Sequence, residues 1–361
     1  MRKREEIAIK AAVLRGPGRM EIEDLPEPDL PEGGALLKME ACAVCGTDIK
    51  MLEQGHRDLV YPCIPGHELV GRIAQTDGGD GGCHYRPSAP VREGDLVAVW
   101  PGIACGGCLP CRRGDDGRCR DIKIMGFNFP GGFAEMCALP AESLYSGTNL
   151  LPRGTDPAIA SLSEPLACCI NGQEQAHLCS GESVLIFGGG PIGALHALLA
   201  GSRGAGSIII SEKLAGRLSI LRRNTRSLAF NPDEEGPADV VAAETDGVGV
   251  DVILTATPAV DTDSSLLRML SPGGRLCIFS GPSMGRGESS VDMRLLHYRE
   301  VSICGSYGCS SRHCRQAAEL LTSGRIRADW LITKRAGLMQ INEAFAHSAE
   351  RAGMKSVVFG R

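Results

Sequence analysis

The stretch Glu182–Gly204, "ESVLIFGGGPIGALHALLAGSRG", decides the fold. Ser183–Phe187 is a short uncharged run of strand formers, three glycines follow, and apolar residues then recur at helical spacing from Pro191 onward. A buried strand running into a glycine turn and a helix is the start of a βαβ unit. Gly188, Gly190 and Gly193 fit G-x-G-x-x-G, with Pro191 and Ile192 filling the last gap. Glycine serves there for the tight turn, for close backbone approach to a pyrophosphate and for close helix packing, while the positive helix N-terminus receives the phosphates. With 47 glycines in 361 residues the triplet alone is weak, since a turn without a ligand would show it too. Its context strengthens it, because Glu212 ends the next strand, where a carboxylate accepts hydrogen bonds from ribose hydroxyls and repels a 2′-phosphate. That favours NAD, while Lys213 and Arg217 nearby leave NADP open.

Working outward, "SIIISEK", "DVILTAT" and "GRLCIFSG" alternate with the helical "LAGRLSILRRN" and "DSSLLRML". Strands alternating with helices predict a doubly wound parallel sheet over residues 166–305. Residues 1–165 differ: "AAVLRG", "GALLKMEACAV", "LVGRIAQ", "GDLVAVWPG" and "FAEMCALP" predict short strands joined by site-bearing loops. The tail 306–361 offers two helices and the strand "KSVVFG", expected to fold back on that first domain. The fold class is therefore α/β, with two domains, as 361 residues exceed what one core supports.

Composition excludes several functions. A net charge of −5 with 22% charged residues gives no electrostatic reason for a nucleic-acid or anionic-lipid partner. Lys10 and Arg15 interrupt the N-terminal apolar run before it reaches signal-peptide length, and no apolar run approaches the ~18 residues of a membrane span. The expected compartment is the cytoplasm, where clustered thiols are more often metal ligands than disulfides.

The chain has 16 cysteines, and Cys105, Cys108, Cys111 and Cys119 form "CGGCLPCRRGDDGRC". Gaps of two residues let successive thiolates converge on one ion, and the glycines permit the wrapping turns. Four thiolates leave no position for water, the description of a structural zinc site, with an iron–sulfur cluster or free thiols as the alternatives. Catalysis needs an open position instead. Cys45, Thr47 and Asp48 in "CAVCGTDIK", His67 and Glu68 in "PGHELVG", and Glu164 in "SEPLACC" supply a thiolate, an imidazole and one or two carboxylates, the mixture of a catalytic zinc. Cys83 and His84 lie in the low-complexity loop Gln75–Pro90 and fall short of four donors. The ten other cysteines, Cys179, Cys309 and Cys314 among them, are expected to be buried small apolar groups.

The order "CGTD", "GHE", "GDLVAV", the cysteine quartet, "GGFAEMCALP", "SEPLACC", "GGGPIG" and "SPGGRLCIFSG" resembles the zinc-dependent medium-chain dehydrogenase/reductase superfamily, and within it the polyol and sorbitol dehydrogenase branch. The resemblance runs from about residue 11 to the C-terminus. It implies a GroES-like catalytic domain built from both ends of the chain around a central Rossmann domain. It also implies two zinc ions per chain, NAD or NADP as cofactor, a small-molecule alcohol or ketone substrate, and a homodimer or homotetramer. Cys45 and His67 would bind the catalytic zinc, with Glu68 and Glu164 supplying the carboxylate ligand or holding the water. Thr47 would take the substrate's proton and Asp48 would steady the site. Glu164 replaces the cysteine of simpler alcohol dehydrogenases, which points to polyols. Lys50 departs from the family's relay histidine and would suit an anionic substrate such as a sugar phosphate. An aminocyclitol dehydrogenase resembling 2-deoxy-scyllo-inosamine dehydrogenase is one alternative, and a non-catalytic dinucleotide-binding sensor or scaffold is another.

Overall fold

The computed structural model describes residues 8–56, 58–77, 91–281 and 287–360. Cys83 and His84 lie outside the described residues. The chain forms two compact units: residues up to 167 with 309–324 and 328–361, and residues 168–308 with 325–327.

The first unit opens with the hairpin β1 (Ala8–Gly16) and β2 (Arg19–Pro26). Next come β3 (Ala35–Ala43), helix α1 (Gly46–Gln54), β4 (Glu68–Thr76) and β5 (Leu96–Val99). The two-residue strands β6 (Gly102–Ile103) and β7 (Lys123–Ile124) pair with each other, enclosing a loop that carries α2 (Leu109–Arg112). Then follow β8 (Met136–Leu139), β9 (Thr148–Leu150) and α3 (Pro157–Ala160). Helix α4 (Ser163–Gln175) leads into the second unit. Strand β3 is buried along almost its whole length because it pairs with β4 and β8, so its apolar residues face core on both sides. The core gathers Leu37, Met39, Phe133 and Phe345, the two aromatic rings 5.6 Å apart and nearly edge to face.

The second unit is the doubly wound sheet. Its elements are β10 (Ser183–Phe187), α5 (Pro191–Ser202), β11 (Ser207–Ser211), α6 (Ala215–Asn224), β12 (Leu228–Phe230), α7 (Pro237–Glu244), β13 (Val250–Thr255), α8 (Ser264–Arg268), β14 (Leu270–Ile278), α9 (Met293–Arg299) and β15 (Ser302–Gly305). Six parallel strands stand in the order β12-β11-β10-β13-β14-β15. The order reverses between β10 and β13, the crevice where such sheets take a dinucleotide.

The tail supplies α10 (Ser311–Thr322), β16 (Ile332–Gly337), α11 (Ile341–Ala349) and β17 (Lys355–Phe359). Strand β17 pairs antiparallel with β3, so the tail completes the first unit's sheet. The sequence reading omits β2, β6, β7, β9, β12, β15 and β16. Strand β2, "RMEIEDLP", mixes charge into a half-exposed ribbon, and β12 and β15 are only three and four residues long, too short to show a period.

Candidate active site

Cys45 caps the N-terminus of α1, and the Asp48 carboxylate, three residues on, accepts the Cys45 amide proton at 2.8 Å. That bond fixes the thiol at the head of the helix and leaves Thr47 half-buried on the first turn. His67 and Glu68 arrive from the start of β4, and both are buried. The ligand atoms of Cys45, His67 and Glu68 all lie within 4.8 Å of one another. His67 Nδ1 lies 3.4 Å from Asp48 Oδ1, and its ring rests against Phe127, centroids 5.4 Å apart. Burial alone would push the imidazole down, but the charges of Asp48 and Cys45 outweigh it and hold His67 well above its usual range.

Glu68 is held by a residue that sequence reasoning missed. Lys355 Nζ, from the start of β17, donates to Glu68 Oε1 at 2.6 Å in a pair shielded from solvent at both ends. Burial pushes the Glu68 carboxyl up to about 7, the Lys355 charge opposes that, and Glu164 adds to it. Burial works against the Lys355 charge, yet Glu68 and Cys45 hold its ammonium above the usual range. The 2.6 Å contact is that of an ion pair. Glu68 Oε2 is buried with no partner among the described residues. Glu164 stands on the first turn of α4, outside the group of ligand atoms that Cys45, His67 and Glu68 form but near enough to act on Glu68 and Lys355. A thiol, an imidazole and a carboxylate with one orphaned oxygen suit a zinc ion that keeps a replaceable position.

The quartet assembles on the loop between β6 and β7. Cys108 caps α2, Cys111 lies within it, and the four sulfurs fall within 4.8 Å of one another. The Cys108–Cys111 and Cys108–Cys119 sulfur distances are 3.4 and 3.9 Å. These bracket the roughly 3.8 Å edge of a tetrahedron with Zn–S bonds of about 2.3 Å. Backbone amides of Cys111 and Arg120 lead in lowering the Cys108 thiol to about 6, so it is readily held as thiolate. The remaining cysteines depart from the sequence reading in part. Cys179 is exposed and Cys168, Cys304 and Cys309 are half-buried, whereas Cys42, Cys137, Cys277 and Cys314 are buried as expected.

In the second unit, Gly188 adopts φ +94° between β10 and α5, a conformation that favours glycine. A Cβ on Gly193 would collide with the Gly188 carbonyl. Gly190 caps α5, with Pro191 and Ile192 as its first helical residues. Buried Glu212, just beyond β11, accepts from the Gly189 amide at 2.9 Å and the Leu214 amide at 2.8 Å. A Cβ on Gly190 would lie 3.1 Å from Arg217 Nη1, so the guanidinium overhangs the glycine turn.

A parallel-sheet unit with this glycine turn, joined to a unit with one open and one closed metal-ligand set, defines the zinc-type, dinucleotide-linked alcohol dehydrogenases. Residues 31–149 match the family model for the alcohol dehydrogenase GroES-like domain, and residues 191–323 match that for zinc-binding dehydrogenases. L-threonine 3-dehydrogenase of Pyrococcus abyssi is 32% identical over 89% of this chain and 90% of its own length. D-altritol 5-dehydrogenase of Agrobacterium fabrum is 30% identical over 86% of this chain and 88% of its own. A Sinorhizobium meliloti protein solved bound to NADP superposes with a TM-score of 0.86 at 27% identity, covering 98% of this chain and 99% of that one. The chain belongs to the zinc-dependent medium-chain dehydrogenase/reductase superfamily, among its polyol-type members. It is an NAD(P)-dependent zinc oxidoreductase, and the reading as a non-catalytic sensor or scaffold is not favoured.

Proposed function

We propose that the protein oxidises a secondary alcohol of a polyol or sugar, or reduces the matching ketone, with Cys45, His67 and Glu68 as the catalytic metal site. The observation that carries this is the buried Glu68 Oε2, without a partner among the described residues and grouped with Cys45 and His67. The substrate class draws support from the relatives' names, which put reaction at carbon 5 of altritol and carbon 3 of threonine, both secondary carbinols. When bound, zinc supplies Lewis acidity toward a hydroxyl oxygen and the nicotinamide accepts hydride.

The chain's own residues do the rest. Thr47 Oγ accepts the hydroxyl proton as it passes its own on through water or the ribose. Asp48 holds the Cys45 amide and faces His67, fixing both donors. Lys355 holds one oxygen of Glu68 and leaves the other for the metal. Glu164 lends a further negative charge. The turn of Gly188, Gly190 and Gly193 lets the pyrophosphate approach the backbone, the Ile192 and Gly193 amides at the helix end receive it, and Pro191, which has no N–H, sets the first helical turn. Glu212 orients the ribose of NAD, and Arg217 beside the turn meets the phosphates. Cys105, Cys108, Cys111 and Cys119 hold a second, structural zinc.

A reducing compartment such as the cytoplasm suits cysteines that form no disulfide among the described residues. Among the described residues, no helix is long and apolar enough to cross a membrane. The β15 edge, paired only with β14 among the described residues, supports assembly of two or four copies, which light scattering would report as a multiple of 38.1 kDa.

The test is zinc content on the wild type and Cys45→Ser, with NAD-linked absorbance across polyols, sugar phosphates and aminocyclitols. Two zincs falling to one, with loss of turnover, is the expected result. A zinc content unchanged by Cys45→Ser would overturn the assignment.

A further inference from the structure

Two cysteines outside the quartet and the Cys45, His67 and Glu68 group stand at the N-terminus of α10, and the Cys309 sulfur also lies within 4.8 Å of a Glu164 carboxylate oxygen. Ser310 caps that helix, its hydroxyl accepting from the His313 amide. Cys309 precedes the cap and Cys314 follows four residues after it, the two positions at which side chains meet across a helix start. Their sulfurs are 3.8 Å apart. Cys309 is half-buried and Cys314 is buried.

We propose that Cys309 and Cys314 form a reversible dithiol–disulfide pair, oxidised by hydrogen peroxide. One thiolate attacks the peroxide O–O bond, giving a sulfenic acid and hydroxide, which leaves as water. The second thiol attacks the sulfenic sulfur, the S–O bond breaks, the S–S bond forms and a second water departs. Two thiols and one peroxide thus yield one disulfide and two waters, a two-electron oxidation of sulfur that an external thiol reverses. The sulfurs must close from 3.8 Å to the S–S bond length of about 2.05 Å.

Cys277 and Cys304 also face each other in register across β14 and β15, where the hydrogen bond between their thiols lowers Cys304 and, with burial, pushes Cys277 far up. The quartet thiols are the proposed ligands of the structural zinc. The Cys309 segment is also gripped by the quartet's loop. Buried Asp116, between Cys111 and Cys119, accepts from the Ser311 amide at 3.0 Å and from the Ser311 hydroxyl. A Cβ on Gly117 would lie 2.5 Å from the Cys309 carbonyl oxygen. Drawing Cys309 toward Cys314 therefore bears on the loop that holds the structural metal site.

The experiment treats the full-length, zinc-loaded enzyme with hydrogen peroxide, blocks remaining thiols with N-ethylmaleimide, and digests with trypsin. Cleavage after Arg312 puts the two cysteines on separate fragments, Glu300–Arg312 and His313–Arg315. The expected product is these two fragments joined, two hydrogens lighter than their sum, in most molecules, with zinc content unchanged and the link reversed by dithiothreitol. Cys304 shares the first fragment, so Cys304→Ser must keep the link while Cys309→Ser and Cys314→Ser each abolish it. Should either variant fail to fold, fragment-ion sequencing of the wild-type product assigns the link instead. Both thiols recovered as maleimide adducts after peroxide has already released zinc would overturn the proposal. So would a third zinc per chain that disappears with Cys309→Ser, which would assign the pair to a metal.

Discussion

Lys355 and Glu68 form the contact with the largest consequence for a single side chain. Breaking a buried ion pair leaves a charge without water or partner, at a cost of about 3–5 kcal/mol, whereas replacing both members together is often nearly neutral. Lys355→Met is therefore expected to lose about that much stability in urea titration, and Lys355→Met with Glu68→Gln to recover most of it. Equal losses in the single and double variants would show that Lys355 acts through packing alone. At the other site, Glu212 receives two backbone amides that order the glycine turn. Glu212→Ala should raise the KM for NAD and narrow the preference over NADP, because the carboxylate that repels a 2′-phosphate is gone. Steady-state kinetics with both dinucleotides reads this directly.

At the scale of elements, α5 carries a histidine into the interior of the second unit. His196 is fully buried, stands edge-on to Phe279 at 4.6 Å, and leaves Nε2 without a partner among the described residues. Burial, and then the Arg203 charge, push its imidazole down to about 3 from an ordinary 6.5. Between these values the unfolded chain binds the proton and the folded one does not, so stability falls as pH drops below about 6.5, by about 1.4 kcal/mol per pH unit. His196→Gln should flatten the decline in urea midpoint between about pH 6.5 and 4, although it also perturbs packing at neutral pH. A decline as steep as the wild type's would mean other groups carry the acid sensitivity. Elements also explain what was legible in the sequence. The glycine turn and the quartet were readable because each completes itself within one local stretch. Cys45, His67 and Glu68 were readable by chemical type, though only the fold brings them together. Lys355 had no local signal, as its partner lies 287 residues away and "KSVVFG" looks like an ordinary closing strand.

Across the whole molecule, the two units bind different things, and ligands stabilise only what binds them. Calorimetry is expected to show that stripping zinc with a chelator lowers the melting of the first unit, while added NAD raises that of the second. A single transition moved equally by both would mean that the units unfold as one. The placement of Lys355 in β17 also has a meaning during synthesis. The second unit is almost continuous in sequence and can fold as its strands leave the ribosome. The first unit lacks the β17 strand and the cation beside Glu68 until that late segment emerges. A nascent chain that has made Glu68 but not yet β17 therefore carries that carboxylate without its cation.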